Sequence, residues 1–352
     1  MRVPDQSELG LADIKLPRAS FDKARLITDL LERATSLGVV SEFLKTKGLH
    51  YSAGSWDDMR DKRIVPAIAR QKLTFHELAL LLAEAEEFGR NHTFLYQGKQ
   101  SDAKKLMEKD HISVVCRKLG HTQALDGTII DLPPAPTLTE IREDVSNGQR
   151  CLVFKIVETR EERDFLGETI VNNRIRREWE INRIRAINTA RLHESGFLDI
   201  RIQSHTNSTR YAADLNQMWS ILKDYLPPAV FKPVSLTKAK TALWESRTAK
   251  DKKIRFSDSI MRNDYGTTIS ASTGTEQADL FKDSGASGSI DHFLDHGAYC
   301  DSENIWWLPR DGVTDREIHM LLSGESHEFA ITAACTRAEY EYVLNELRVL
   351  NR

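Results

Sequence analysis

Most of the landmarks that would assign a chemistry are missing from this chain. It contains no G-x-S-x-G, no P-loop and no G-x-G-x-x-G in a strand-to-helix setting. Acyl transfer by an elbow serine and the cradling of phosphates or dinucleotides by glycine-rich turns therefore lack their usual supports. Its four cysteines, Cys116, Cys151, Cys300 and Cys335, are widely spaced and never form a C-x-x-C. That pattern argues against a zinc ribbon and a secreted disulfide framework, so the expectation is a cytoplasmic protein with reduced thiols, nucleoid or nuclear if bound to nucleic acid. No stretch approaches the ~18 consecutive apolar residues of a membrane span, and the acidic N-terminal MRVPDQSELGLADIK does not read as a signal peptide. No membrane partner and no cofactor are expected.

What the chain does have is segregated charge. A formal net charge of −3 conceals a basic segment, 236–255, with seven Lys/Arg against two acids, and an acidic one, 258–303, with nine acids against two bases. Such asymmetry suits a basic face for a polyanion, or two surfaces that attract one another within the fold. The densest cluster lies upstream. Arg174, Arg176, Arg177, Arg183, Arg185 and Arg191 face only Glu178 and Glu180, a local excess of +4. Arginine suits phosphate because its planar fork donates two hydrogen bonds to one anionic group. In a strand, Arg183 and Arg185 share a face about 7 Å apart, near the spacing of successive phosphates. Trp179 is placed to stack on a base or to fill a core. With Lys238, Lys240, Lys252, Lys253 and Arg255 of the basic segment, these arginines are the nucleic-acid-binding candidates. The competing reading pairs them internally with nearby acids.

Hydrophobic spacing predicts an α+β protein: an N-terminal helical bundle, a mixed α/β domain, and a β-rich C-terminal region with a closing helix. Residues 1–20 read as a polar tail, 21–120 as the bundle, 121–149 as a connector rich in Gly and Pro, 150–250 as the α+β domain, and 251–352 as the β-rich domain. Leu26, Ile27, Leu30, Leu31 and Ala34 form one helical stripe, and Thr74-Phe-His-Glu77 is a capping box. Cys151–Val157 reads as a strand followed by a charged TREERD turn. Leu198, Ile200 and Ile202 alternate with Asp199, Arg201 and Gln203, the period of a strand with one face buried and one in water. His193–Gly196 reads as the hairpin turn before it. IRF, TTISAST, IWWL, EIHMLL and HEFAITAA read as strands, the last two joined by Ser323–Ser326. SGASGS (284–289) reads as a mobile loop, and Thr336-x-x-Glu339 as the cap of the closing helix.

One segment offers metal ligands. His292 and His296 are four apart and would share a helix face, and Cys300 would extend the row by a turn, with Asp295 available to orient a histidine. Gly297 interrupts that helix.

The run WDDMRDKRIVPAIARQKLTFHELALLLAEAEEFGRNHTFLYQ (56–97) resembles the N-terminal pyrin-like helical domain of the CENP-N family in helix order, basic connector and closing aromatic-Gln element. The resemblance covers some 75 residues. It implies an α-helical module contacting nucleic acid or protein, followed by a mixed α/β domain that pairs with a partner, with Arg60, Lys62, Arg63, Arg70 and Lys72 as the matching basic positions. Together these features point to a non-enzymatic binding protein that contacts nucleic acid or a protein partner through basic surface. The alternatives are an adaptor or sensor subunit of a defence or chromosome-associated complex, and a metal-dependent hydrolase built on 291–301.

Overall fold

The structure, a computed structural model, describes residues 16–206, 211–249, 252–275, 278–322 and 326–352. The chain divides after Glu87 into a helical unit and a sheet unit.

In the first unit the expected stripes become helices α1 (Arg18–Ala34), α2 (Leu37–Thr46), α3 (Trp56–Met59), α4 (Val65–Ala69) and α5 (Phe75–Glu87). Ile27, Leu30, Leu31, Leu44, Met59 and Leu78 are buried together as its core. Pro66 sits in the first turn of α4, where its missing N–H is harmless, and the π turn Arg60–Ile64 absorbs the irregularity just before it. The capping box before α5 forms. Glu77 Oε2 accepts from the Thr74 amide at 2.8 Å, and the Glu77 amide donates to Thr74 Oγ1 at 3.2 Å.

The second unit is organised on one antiparallel sheet. In chain order it contains β1 (Gly89–Gln97), α6 (Gln100–Leu106), α7 (Lys109–Leu119), β2 (Thr137–Ser146), β3 (Gln149–Val171), β4 (Arg174–His193), β5 (Phe197–Gln203) and α8 (Ala212–Leu222). Then come β6 (Lys232–Pro233), α9 (Thr237–Glu245), β7 (Ile254–Asn263), β8 (Thr268–Ser272), α10 (Ser284–Asp295), β9 (Ala298–Trp307), β10 (Ile318–Leu322), β11 (Glu328–Ala334) and α11 (Arg337–Leu350). The strand order is β2-β3-β4-β5-β1-β11-β10-β9-β7-β8, with β6 short against β1. Two cores lie on opposite faces. Phe94, Tyr96, Phe154, Ile200 and Ile202 pack under α6–α8 on one, while Leu95, Phe256, Ile305 and Trp307 pack under α9–α11 on the other. β1 serves both, because successive side chains of a strand point to opposite faces.

Several sequence expectations give way here. Residues 89–97 are not part of a helical bundle but the strand at the middle of the sheet; Phe94-Leu95-Tyr96 is apolar without alternation because both its faces are buried. Residues 121–149 are more than a connector, since they hold β2. The segments 150–250 and 251–352 are not separate domains: their strands belong to one sheet, joined through β1. TREERD is not a turn but the middle of β3, where the strand passes from Arg160, held by Glu158 and the Gln203 carbonyl, to the exposed Glu161, Arg163 and Asp164. SGASGS opens α10, held by Asp283 Oδ1, which accepts from the Gly285 and Ala286 amides at 2.9 and 3.0 Å.

Other expectations hold. His193–Gly196 is the β4–β5 turn. Gly196 is required there, with φ +87° and a Cβ position 2.4 Å from the Gly98 carbonyl oxygen. The α11 capping box at Thr336 and Glu339 is complete. The expected Ser323–Ser326 link lies mostly outside the described residues.

Candidate protein-docking arm

The arginine cluster lies on a feature the sequence reading did not anticipate. β3 and β4 pair from Cys151–His193 out to Val171–Arg174, and their outer halves run beyond β2 and β5 as a two-stranded arm. Its tip is Asn172-Asn173, with φ +51° and +58°, the positive pair of a two-residue hairpin turn. That dipeptide between two strand-like runs was the available sequence signal.

Pairing changes the charge. Between residues 159 and 185 the arm holds seven arginines (160, 163, 174, 176, 177, 183, 185) and six acids (161, 162, 164, 168, 178, 180), a net of +1, against +3 for its β4 side (174–185) alone. Arg177 Nε lies 2.8 Å from Glu168, and Arg183 Nε 3.5 Å from Glu161. Arg183 and Arg185 do share a face, but Arg185 Nε donates to the Ile130 carbonyl at 2.9 Å. Arg174 and Arg176 are exposed near the tip and make no ion pair among the described residues.

The same face carries a stripe of apolar side chains. The register sets Ile170 beside Ile175, Glu168 beside Arg177, Phe165 beside Trp179, Arg163 beside Ile181 and Glu161 beside Arg183. A bulge at Leu166 keeps the alternation in phase across Gly167. The Phe165 and Trp179 rings meet edge to face, centroids 5.2 Å apart. Yet Phe165, Ile170, Ile175, Trp179 and Ile181 remain 51–74% exposed. Trp179 thus fills no core.

Arg191 has to be removed from the binding set. It is fully buried, with Nη2 2.9 Å from Asp144, at the root of the arm. The strand there was expected to have one face in water, but Asp199 and Arg201 of β5 are buried as well. Arg201 Nε donates to Asp199 Oδ1 at 2.5 Å, His193 Nε2 lies 3.0 Å from Oδ2, and the Arg201 guanidinium sits 3.9 Å over the Tyr340 ring of α11. Burial pushes the Asp199 carboxyl up, but Arg201 and His193 outweigh it and hold it well below the carboxylate range. Apolar–polar alternation marks a half-exposed strand only if nothing covers the polar face; here α11 does.

The basic segment is likewise not a free face. Lys240 is buried, its Nζ donating to the Asp301 carbonyl at 2.5 Å; Lys238 Nζ donates to the C-terminal Arg352 oxygen at 3.0 Å. Lys252 pairs with Asp279, and Lys253 Nζ lies 2.9 Å from Glu346. Arg255 is buried against Glu317, Nε to Oε1 2.9 Å, and stacks on Trp306, which in turn stacks on His319 at 4.4 Å. Lys252–Asp279 and Arg247–Asp291 join the basic and acidic segments directly, so their charges attract within the fold.

The metal candidates are not brought together. His292 and His296 face each other with ring centroids 4.3 Å apart, but His296 Nδ1 lies 2.7 Å from the His292 carbonyl oxygen and is used in the helix end. α10 ends at Asp295, Gly297 takes φ +87°, and Cys300 lies buried in β9 beside Glu303. Among the described residues no group of three or more His, Cys, Asp or Glu side chains is placed to hold an ion. The four cysteines are free thiols, and burial pushes Cys151 up to about 11 and Cys335 to about 12, so neither is a ready nucleophile. No helix among the described residues is long and apolar enough to cross a membrane.

Neither a scan of protein-family models nor a search of curated proteins returns a match to this chain.

Proposed function

We propose that this chain acts by binding rather than by catalysis, and that the β3–β4 arm is its docking element, taking a protein partner on its apolar face. The observation that carries this reading is the exposed stripe Phe165, Ile170, Ile175, Trp179 and Ile181 on a ribbon whose charges nearly cancel. A two-stranded ribbon gains little stability from aromatic side chains left in water, whereas exposed aromatics dominate interface energetics once covered. An adaptor or sensor subunit of a defence or chromosome-associated complex fits this reading. So does the CENP-N-like layout implied by residues 56–97, in which a helical module precedes a partner-binding mixed domain.

A second reading, contact with nucleic acid, is favoured by Arg174 and Arg176, exposed at the tip. It predicts affinity for generic DNA or RNA that falls with salt, adding about 0.7–0.9 to the log–log slope per phosphate neutralised.

The test is a photocrosslinking amino acid placed at Ile175, with one at the exposed Tyr265 as control. A protein adduct formed in cells from position 175 and absent from 265 is the expected result. No adduct, or the same adducts from both positions, refutes the docking reading. A nucleic-acid adduct from 175 instead transfers the arm to the second reading.

A further inference from the structure

We propose that the partner taken by this face is a second copy of the chain, the two arms stacking face to face about a two-fold axis that runs along the hairpin. The inference rests on the docking reading above and goes beyond it by naming the occupant. A two-fold axis in that direction lays each strand of one arm over the other strand of its copy, level by level, so every residue meets the copy of its own cross-strand neighbour. On this face the register makes each such meeting favourable. Ile170 lies over Ile175, Glu168 over Arg177, Phe165 over Trp179, the aliphatic stem of Arg163 over Ile181, and Glu161 over Arg183.

The complementarity belongs to this face. On the opposite face Asp164 stands beside Glu180, so the same operation there would set acid over acid. The self-matching levels also end where the chain covers itself. At the next level inward Arg185 donates to the Ile130 carbonyl and Thr159 Oγ1 to the Pro133 carbonyl at 2.7 Å. Five levels of a two-stranded ribbon span about 30 Å. That is a small interface, so the dimer is weak, dissociating at about 1–100 µM.

Sedimentation velocity over about 1–300 µM tests this, a range set by that affinity. The intact protein is expected to pass from monomer to dimer, and Phe165→Ser with Trp179→Ser to remain monomeric at an unchanged melting temperature. Charge reversal then tests the axis. Glu168→Arg puts two arginines opposite two arginines, and Arg177→Glu puts four carboxylates together, so each variant alone loses self-association about tenfold or more. Mixed in equal amounts they form a heterodimer, because the two arginines at this level of the first variant now meet the two glutamates at the same level of the second.

A wild-type chain that stays monomeric throughout, a dimer that survives in the Phe165/Trp179 variant, or singly reversed variants that fail to pair with each other overturns the proposal. A crosslink from position 175 to a different protein, with a monomeric wild type, removes the second copy while leaving the docking reading in place. No adduct at all removes both.

Discussion

Glu303→Gln should stabilise this protein at alkaline pH and leave it almost unchanged in acid. Glu303 sits in β9 between Ser259 of β7 and Leu322 of β10, 1% exposed, facing the layer that holds Lys240 and Cys300. Burial pushes its carboxyl up to about 8 from an ordinary 4.5, the Cys300 thiol and Lys240 offsetting only part of the desolvation. At the acid end both folded and unfolded chains hold the proton. Between 4.5 and 8 the unfolded chain has released it and the folded one has not, so stability falls as pH rises. The slope is about 1.4 kcal/mol per pH unit, a loss of about 3–5 kcal/mol by pH 8. Glutamine has the shape of the protonated acid and does not titrate, so the other ionisable groups cancel in the difference between the two proteins. Urea denaturation at pH 5, 6.5 and 8 should show the two midpoints nearly together at pH 5 and the variant well ahead at pH 8. A variant equally destabilised at all three pH values would refute the reasoning: Glu303 would then be ionised and paired with Lys240, and removing one partner of a buried pair destabilises wherever the pH lies above the unfolded carboxyl's 4.5.

Asp199→Asn is expected to cost about 3–5 kcal/mol at neutral pH, since it leaves Arg201 buried beside a neutral amide. Because the folded carboxyl is held low, that contribution is present above the unfolded value near 4 and lost as pH falls, so the two proteins should converge in acid when unfolding is followed calorimetrically. A fragment of residues 16–87 should show helical circular dichroism and a cooperative melt, whereas 16–120 should aggregate because it carries β1 without the strands that cover it; the reverse behaviour would put the boundary near 120. Binding of generic duplex DNA should have a log–log salt slope below about 1, one phosphate or fewer, and a steep slope abolished by Arg174→Ala with Arg176→Ala would establish the nucleic-acid reading.

The helices were legible because their evidence is local. The stripe at Leu26–Ala34 and both capping boxes fall within a few residues of one another, and each became the helix terminus or face that the spacing implied. The turn at Gly196 was legible for the same reason. What failed was long-range. Residues 89–97 contain no helix breaker between Asn91 and Tyr96, and only the arrival of β5 on one edge and β11 on the other makes them a strand. SGASGS has the composition of a linker, but the Asp283 cap and the burial of Ile290 further along draw it into α10. In β5 the polar residues were read correctly as sharing one face, while the cover supplied by α11, well over a hundred residues later, was invisible.

Charge was the hardest property to read, and the reason is geometric. A count along the chain samples one strand, but a surface is made of neighbours, and in an antiparallel ribbon the neighbour of residue 183 is residue 161. β4 alone is a string of arginines; β3 supplies Glu161 and Glu168 at the levels of Arg183 and Arg177. The basic segment 236–255 meets Asp279, Asp291, Glu317 and Glu346 in the same way. Runs of one sign in a near-neutral chain are as often the two halves of an internal pairing as the footprint of a polyanion, because opposite charges across a sheet stabilise the register that joins them. Apolar residues follow the opposite logic. Pairing Phe165 with Trp179 and Ile170 with Ile175 does not bury them, since cross-strand neighbours shield only one another's flanks. Once both strands of the arm are counted, its charge falls to +1 and its apolar stripe widens to two strands, which is why we propose protein rather than phosphate as its partner.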